Sequence, residues 1–265
     1  MTHKLILAAA LALPLAAQAH TAWLLPSATV LPVKAWVTVD AGISTDAFIA
    51  NHNPLRLDNL VITAPDGSTA SPENALTGKF RSTFDVNLAL PGTYRITVLN
   101  SGLNASYELN GEKKRWRGKA ENMAKEIPAE ASKLEVGETV QRVETFVTDG
   151  AKSLDALKPT GKGLELLPVT HPTDLFVGET ATFKLLIDGA PAAQQKLSVV
   201  RGGMRYRNQQ NEIEATTDAT GAFSITWPEA GPYLLSVSAT DDKVSAKPAT
   251  QRRLSYTASF EVLPQ

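Results

Sequence analysis

One pattern occurs twice in the chain. Phe84, Gly92, Tyr94 and Val98 recur as Phe223, Gly231, Tyr233 and Val237, at a constant offset of 139 residues. Each copy reads as a strand, a tight turn that needs glycine, and a second strand opening on a buried tyrosine. Short period-two segments surround both copies. They include Val33–Val39, Leu57–Thr63, Phe84–Leu88, Tyr94–Val98, Val140–Val147 and Leu164–Val169 in the first part. Thr180–Ile187, Lys196–Val200, Phe223–Trp227, Tyr233–Val237 and Ser255–Val262 follow in the second. Turn signals such as Pro65-Asp66-Gly67, Pro91-Gly92 and Asp188-Gly189 separate them. Many short strands at this spacing predict an all-β fold of two tandem sandwiches, immunoglobulin-like or transthyretin-like.

The first residues stand outside that pattern. Met1-Thr2-His3-Lys4 carries one lysine, Leu5 to Ala17 is apolar, and Ala17-Gln18-Ala19 has the small residues of a cleavage site. The apolar run is too short to span a bilayer and fits a secretory leader. Residues 1–19 are therefore expected to be a cleaved signal peptide. Export with no later membrane span predicts a periplasmic protein. The sandwiches are then expected at 20–159 and 160–265, with Lys158-Pro159-Thr160-Gly161-Lys162-Gly163 as the linker. Residues 104–135 are polar and predict an insertion in the first sandwich, a hairpin followed by a helical turn.

Composition narrows the chemistry. The chain has no cysteine among 265 residues, so disulfides, thiolate metal sites and Cys nucleophiles are excluded. A formal net charge of −1 argues against a nucleic-acid partner. Lys113-Lys114-Arg115-Trp116-Arg117 reads as a solvated hairpin face. No G-x-S-x-G elbow, H-E-x-x-H helix, Walker loop or G-x-G-x-x-G turn occurs, and the expectation is a protein that is not an enzyme. Arg205 and Arg207 are expected to share one face of a strand, solvated or holding an anion.

Any metal must be held by nitrogen and oxygen. Cleavage after Ala19 would make His20 the N-terminus, with a free α-amine and an imidazole on one residue. The amine and Nδ1 can chelate one ion, and a second histidine gives three nitrogens in a T, a histidine brace. Such a set suits Cu(II) and Ni(II). His52, in the loop Asp46–Pro54, is a candidate for the third nitrogen. His171, before Pro172 at the opening of the second sandwich, and Asp46 are the further candidate ligands. Asp40, ahead of Ala41-Gly42, reads as a turn residue that could orient an imidazole.

These residues resemble a known family. His20-Thr21-Ala22-Trp23-Leu24-Leu25-Pro26 looks like the H-x-x-W-L-x-P start of the periplasmic nickel uptake transporter family proteins, and Asn51-His52-Asn53-Pro54-Leu55 like their histidine–proline loop. Thr145–Gly150, Gly163–Leu166, His171–Leu175, Arg205–Arg207, Thr217-Asp218 and Trp227-Pro228 occur in matching order. Asn51 stands where the family often has an acidic residue. The stretch from Asp188 to Val237 also resembles the transthyretin-like modules of carboxypeptidases. The resemblance implies an accessory protein that binds Ni(II), or Cu(II) or Co(II), and passes it to an inner-membrane transporter. Two other readings remain: a metal-free module docking a membrane partner or glycan, and a copper monooxygenase built on the same brace.

Overall fold

The computed structural model describes residues 20–265; the expected leader and its cleavage site lie outside the described residues. Strands pair into three sheets, and these make two sandwiches. The largest sheet is common to both. Its central pair is Ser132–Asp149 beside Gln251–Val262, which run parallel with Val143 opposite Thr257 and Thr145 opposite Ser259. Gly92–Leu109 and Leu60–Thr63 extend it on one side. Gly231–Asp241 and Lys196–Arg201 extend it on the other.

Alternation along the central pair decides where the second layers lie. Val143 and Val147 enter the first core with Phe84, Tyr94 and Ile96. Phe146, on the opposite face, enters the second core with Tyr256, Ala258 and Phe260. The two covering sheets therefore sit on opposite faces of one continuous sheet. The first is ordered Thr21–Pro26, Trp36–Ser44, Arg81–Asn87 and Glu73–Thr77, with Asn53–Pro54 also paired to Trp36–Ser44. The second joins Leu164–Pro168, Thr180–Ile187, Ala190–Pro191 and Ala222–Thr226.

The repeated motif folds alike in both halves. Gly92 has φ +134° and Gly231 has φ +132°, where a side chain is strained. Tyr94 is 1% exposed and its hydroxyl donates to the Leu90 carbonyl at 3.0 Å. Tyr233 is also 1% exposed and donates to the Glu229 carbonyl at 2.8 Å. Each phenol thus closes the corner four residues upstream of itself.

Several local expectations change. The strand expected at Val33–Val39 starts at Trp36. Lys34 has φ +62°, and the Asp149 carboxylate accepts the Lys34 and Ala35 N–H groups, which holds that stretch as a turn. Asp40 is not in a turn: it lies mid-strand, accepting from the Thr83 hydroxyl at 2.7 Å and pairing with Arg81 at 3.2 Å. In residues 104–135 the two 18-residue strands Gly92–Leu109 and Ser132–Asp149 simply run on past the first core. Glu112–Gly118 pairs back on the first of them, and the helix Ala120–Glu126 follows. Leu103, Ala105, Ile127, Val136 and Ala249 form a small core beneath.

The linker is fastened to the shared sheet by buried charge. Arg142 pairs with Glu144 at 3.1 Å and Glu165 at 3.4 Å. Glu165 accepts the N–H groups of Thr160, Gly161 and Lys162, while Glu144 accepts from Thr97 and Tyr256. Burial, then the neighbouring Glu144 carboxylate, pushes the Tyr256 phenol well above its usual range.

Candidate metal centre

Strand order explains how two distant histidines meet. In the first covering sheet Trp36–Ser44 has a partner on each side at its end. Ile43 lies opposite Ala22 on one flank and opposite Asn53 on the other. His20 and His52 therefore stand at the ends of two strands that flank a third. Both are exposed. Their rings stack across that strand end, with centroids 3.7 Å apart and planes 18° from parallel.

The loop that carries His52 is held from below. Trp23, 1% exposed, donates from Nε1 to the Ser44 hydroxyl at 2.8 Å, and that hydroxyl donates to the Asp46 carbonyl at 2.7 Å. The Asp46 carbonyl also accepts the Ile49 N–H, and the Ile49 carbonyl accepts the Asn51 N–H. Phe48 meets Trp23 edge-on at 5.8 Å. Trp23, Ala47 and Phe48 pack with Leu234 and Val200 of the second half of the shared sheet. A Cβ at Gly202 would lie 2.8 Å from the Phe48 ring, so the close approach of these two loops needs glycine there. The His52 loop thus rests on the second sandwich.

The other candidates are not brought to the pair. His171 sits in the junction instead. Its Nδ1 accepts from the Thr173 N–H at 3.3 Å and the Thr173 hydroxyl at 3.1 Å. That assigns the ring hydrogen to Nε2, which lies 3.2 Å from the Ser153 carbonyl and 3.1 Å from the Thr93 hydroxyl. Thr93 contacts Thr148, whose N–H bonds to Thr29, past the far end of the strand Thr21–Pro26 from His20. Six residues at about 3.3 Å each put roughly 20 Å between the two sites. Burial pulls the His171 pKa below its usual value, against the Ser153 carbonyl, which raises it. Asp46 contributes its carbonyl to the loop. Among the described residues no group of three or more His, Asp or Glu side chains gathers as a metal cluster.

Arg205 and Arg207 do not share a strand face. Met204–Tyr206 is a single 3-10 turn after Gly203, whose φ of +80° turns the chain. Arg207 folds back to donate to the Arg201 carbonyl. Arg205 and Tyr206 line one cleft with Ala47–Ala50 of the His52 loop, a placement that alternation in the sequence gives no sign of.

The donor set fits a nitrogen-preferring ion. Imidazole lone pairs lie in the ring plane, so two stacked rings hold theirs in nearly parallel planes. One shared ion at about 2 Å from each nitrogen requires one ring to rotate. Exposure of both residues leaves room for that rotation.

No curated protein matches the chain. Among solved structures it is similar to the D0-D1 domain of Intimin, 12% identical with a TM-score of 0.22, covering 89% of this chain and 96% of that one. It is similar to the Escherichia coli adhesin FdeC, 17% identical with a TM-score of 0.23, covering 92% of this chain and 63% of that one. It is also similar to trypsin-activated alpha-2-macroglobulin from Escherichia coli, 12% identical with a TM-score of 0.24, covering 94% of this chain and 16% of that one. The sequence profile described as Domain of unknown function (DUF4198) matches residues 17–241, and the chain belongs to that family.

Proposed function

We propose that this is a periplasmic protein that captures a first-row transition metal and passes it to an inner-membrane transporter. Ni(II) is the first cargo, with Cu(II) or Co(II) as alternatives. The stacking of His20 on His52 at 3.7 Å carries the reading. The resemblance of His20–Pro26 and Asn51–Leu55 to nickel uptake proteins supports it.

The steps follow from the residues. Cleavage before His20 frees an amine beside Nδ1, and the two close a chelate on the ion. His52 rotates out of the stack and supplies the third nitrogen. The His52 loop is fixed to Trp23 and the second sandwich, so it moves little while the terminal residue adjusts. Neutral nitrogens bind metal, so protons compete and affinity falls in acid. With nitrogen donors the site discriminates against Mg(II) and Ca(II), which take oxygen ligands. An exposed site of few donors also suits a carrier that must release its cargo.

Calorimetric titration with Ni(II) tests this on a chain beginning at His20. Binding is expected at one site, with His52→Ala and His20→Ala each losing most of the affinity. Unchanged binding in the double variant would overturn the reading.

A further inference from the structure

The metal reading leaves coordination positions to be filled. An amine and two imidazoles are three donors, whereas Cu(II) and Ni(II) take four to six. No acidic side chain joins the histidine pair among the described residues. The remaining donors then come from outside the chain.

The His52 loop, though neither histidine of the pair, lines a cleft that could receive them. A cleft of about 420 Å³ opens between the His52 loop and the Gly203–Tyr206 turn. Trp23, Phe48 and Ile49 form its apolar wall, and Arg205 and Tyr206 its opposite rim. Ala50, two residues from His52, also lines it. Its one carboxylate, Asp40, is matched by Arg81 at 3.2 Å and bonded by Thr83. Arg205 is exposed, and among the described residues no salt bridge or hydrogen bond engages its guanidinium. Tyr206 beside it is 83% exposed. The turn presenting both is fixed: the Gly203 carbonyl accepts the Tyr206 N–H and the Met204 carbonyl accepts the Arg207 N–H. The rim therefore offers one uncompensated cation with a planar fork of donors, plus a phenol. A guanidinium fork matches a carboxylate in both geometry and charge. The volume falls in the range of small-molecule pockets.

We propose that the cleft binds a small organic carboxylate that also ligates the metal, so that the cargo is a metal–carboxylate chelate and not the bare ion. This rests on the metal reading above. Arg205 would hold one carboxylate of the anion, leaving its other oxygens to complete the coordination sphere next to His20 and His52. No bond is made or broken other than metal–ligand bonds.

Equilibrium dialysis of labelled citrate tests it on the chain beginning at His20. Three arms are compared: Ni(II) alone, citrate alone, and the two in equal amounts. About one citrate retained per bound Ni(II) is expected in the mixed arm, and little citrate without the metal. Arg205→Ala should lower that co-retention about tenfold, a step of about 1.4 kcal/mol, while binding of Ni(II) alone stays unchanged. Arg205→Lys, which keeps the charge but not the fork, should fall between the two. Ni(II) bound with citrate left free, or co-retention indifferent to Arg205→Ala, would overturn the inference and leave the metal reading standing. Failure to bind Ni(II) alone would overturn the metal reading and this inference with it. Far-UV circular dichroism melts of each variant separate loss of ligand from loss of fold.

Discussion

The imidazole of His20 lies against that of His52, with ring centroids 3.7 Å apart. The contact is a consequence of strand order. Thr21–Pro26 and Asn53–Pro54 flank the same end of Trp36–Ser44, and a residue just outside each must meet its counterpart over that end. Adjacent strands are about 4.8 Å apart, so two ring-bearing side chains span the gap between the outer ones.

Close packing under the His52 loop gives the first expectation. Gly202→Ala places a methyl 2.8 Å from the Phe48 ring and 3.0 Å from Pro232. The loop must shift, at about 1–3 kcal/mol of stability. Gly42→Ala presses on the Trp23 ring and should cost a similar amount. Urea unfolding measures both costs. Ni(II) affinity should fall in both variants, since each displaces a support of the His52 loop.

His171 makes the fold sensitive to acid. Its folded pKa lies below the 6.5 of a free imidazole because burial disfavours the cation. Above that value both folded and unfolded chains hold it neutral, and it adds no pH dependence. As pH falls below about 6.5 the unfolded chain takes up a proton that the folded chain resists, and stability falls. The loss stops once the folded pKa is passed. His171→Gln should be less stable at pH 7.5, by about 1 kcal/mol for lost hydrogen bonds. It should also show a shallower decline between pH 7 and pH 5 in urea titrations. An unchanged slope would remove His171 as the cause.

The paired tyrosine corners are separate and should act separately. Tyr94→Phe and Tyr233→Phe each remove one hydroxyl from a carbonyl in its own sandwich. About 1 kcal/mol each is expected, adding within error in the double variant. A large coupling energy in the double-mutant cycle would mean that the two corners communicate through the shared sheet.

The junction should be the costliest place to damage. Arg142→Met leaves Glu144 and Glu165 facing each other without their cation, each about 2% exposed. Breaking a buried pair this way costs about 3–5 kcal/mol. Adding Glu144→Gln and Glu165→Gln should restore part of that stability, which chemical denaturation reads directly.

Particular residues mark how far the sequence alone reaches. Tyr94 and Tyr233 with their glycines announce two similar sandwiches, because a corner needs those residue types at that spacing. The sharing of one sheet is not announced. Period two tells which face of Gln251–Val262 is buried, but not that its free edge lies parallel to Ser132–Asp149. His20 and His52 stand out by the rarity of histidine and by the cleavage expected before His20. Their stacking depends on which strands flank Trp36–Ser44, a long-range fact with no local signature. His171 looks equivalent in sequence and differs because both its ring nitrogens are engaged by the junction. Arg205 and Arg207 follow the alternation of a strand, and Gly203 breaks it.

The free amine of His20 is the central claim, because it alone turns two exposed histidines into a three-nitrogen chelate. It is tested by Ni(II) and Cu(II) calorimetry on two chains, one beginning at His20 and one carrying a single extra alanine before it. The added residue moves the amine out of the chelate and leaves both imidazoles in place. Affinity at least tenfold weaker in the extended chain is expected, about 1.4 kcal/mol or more. Equal affinities would contradict the account.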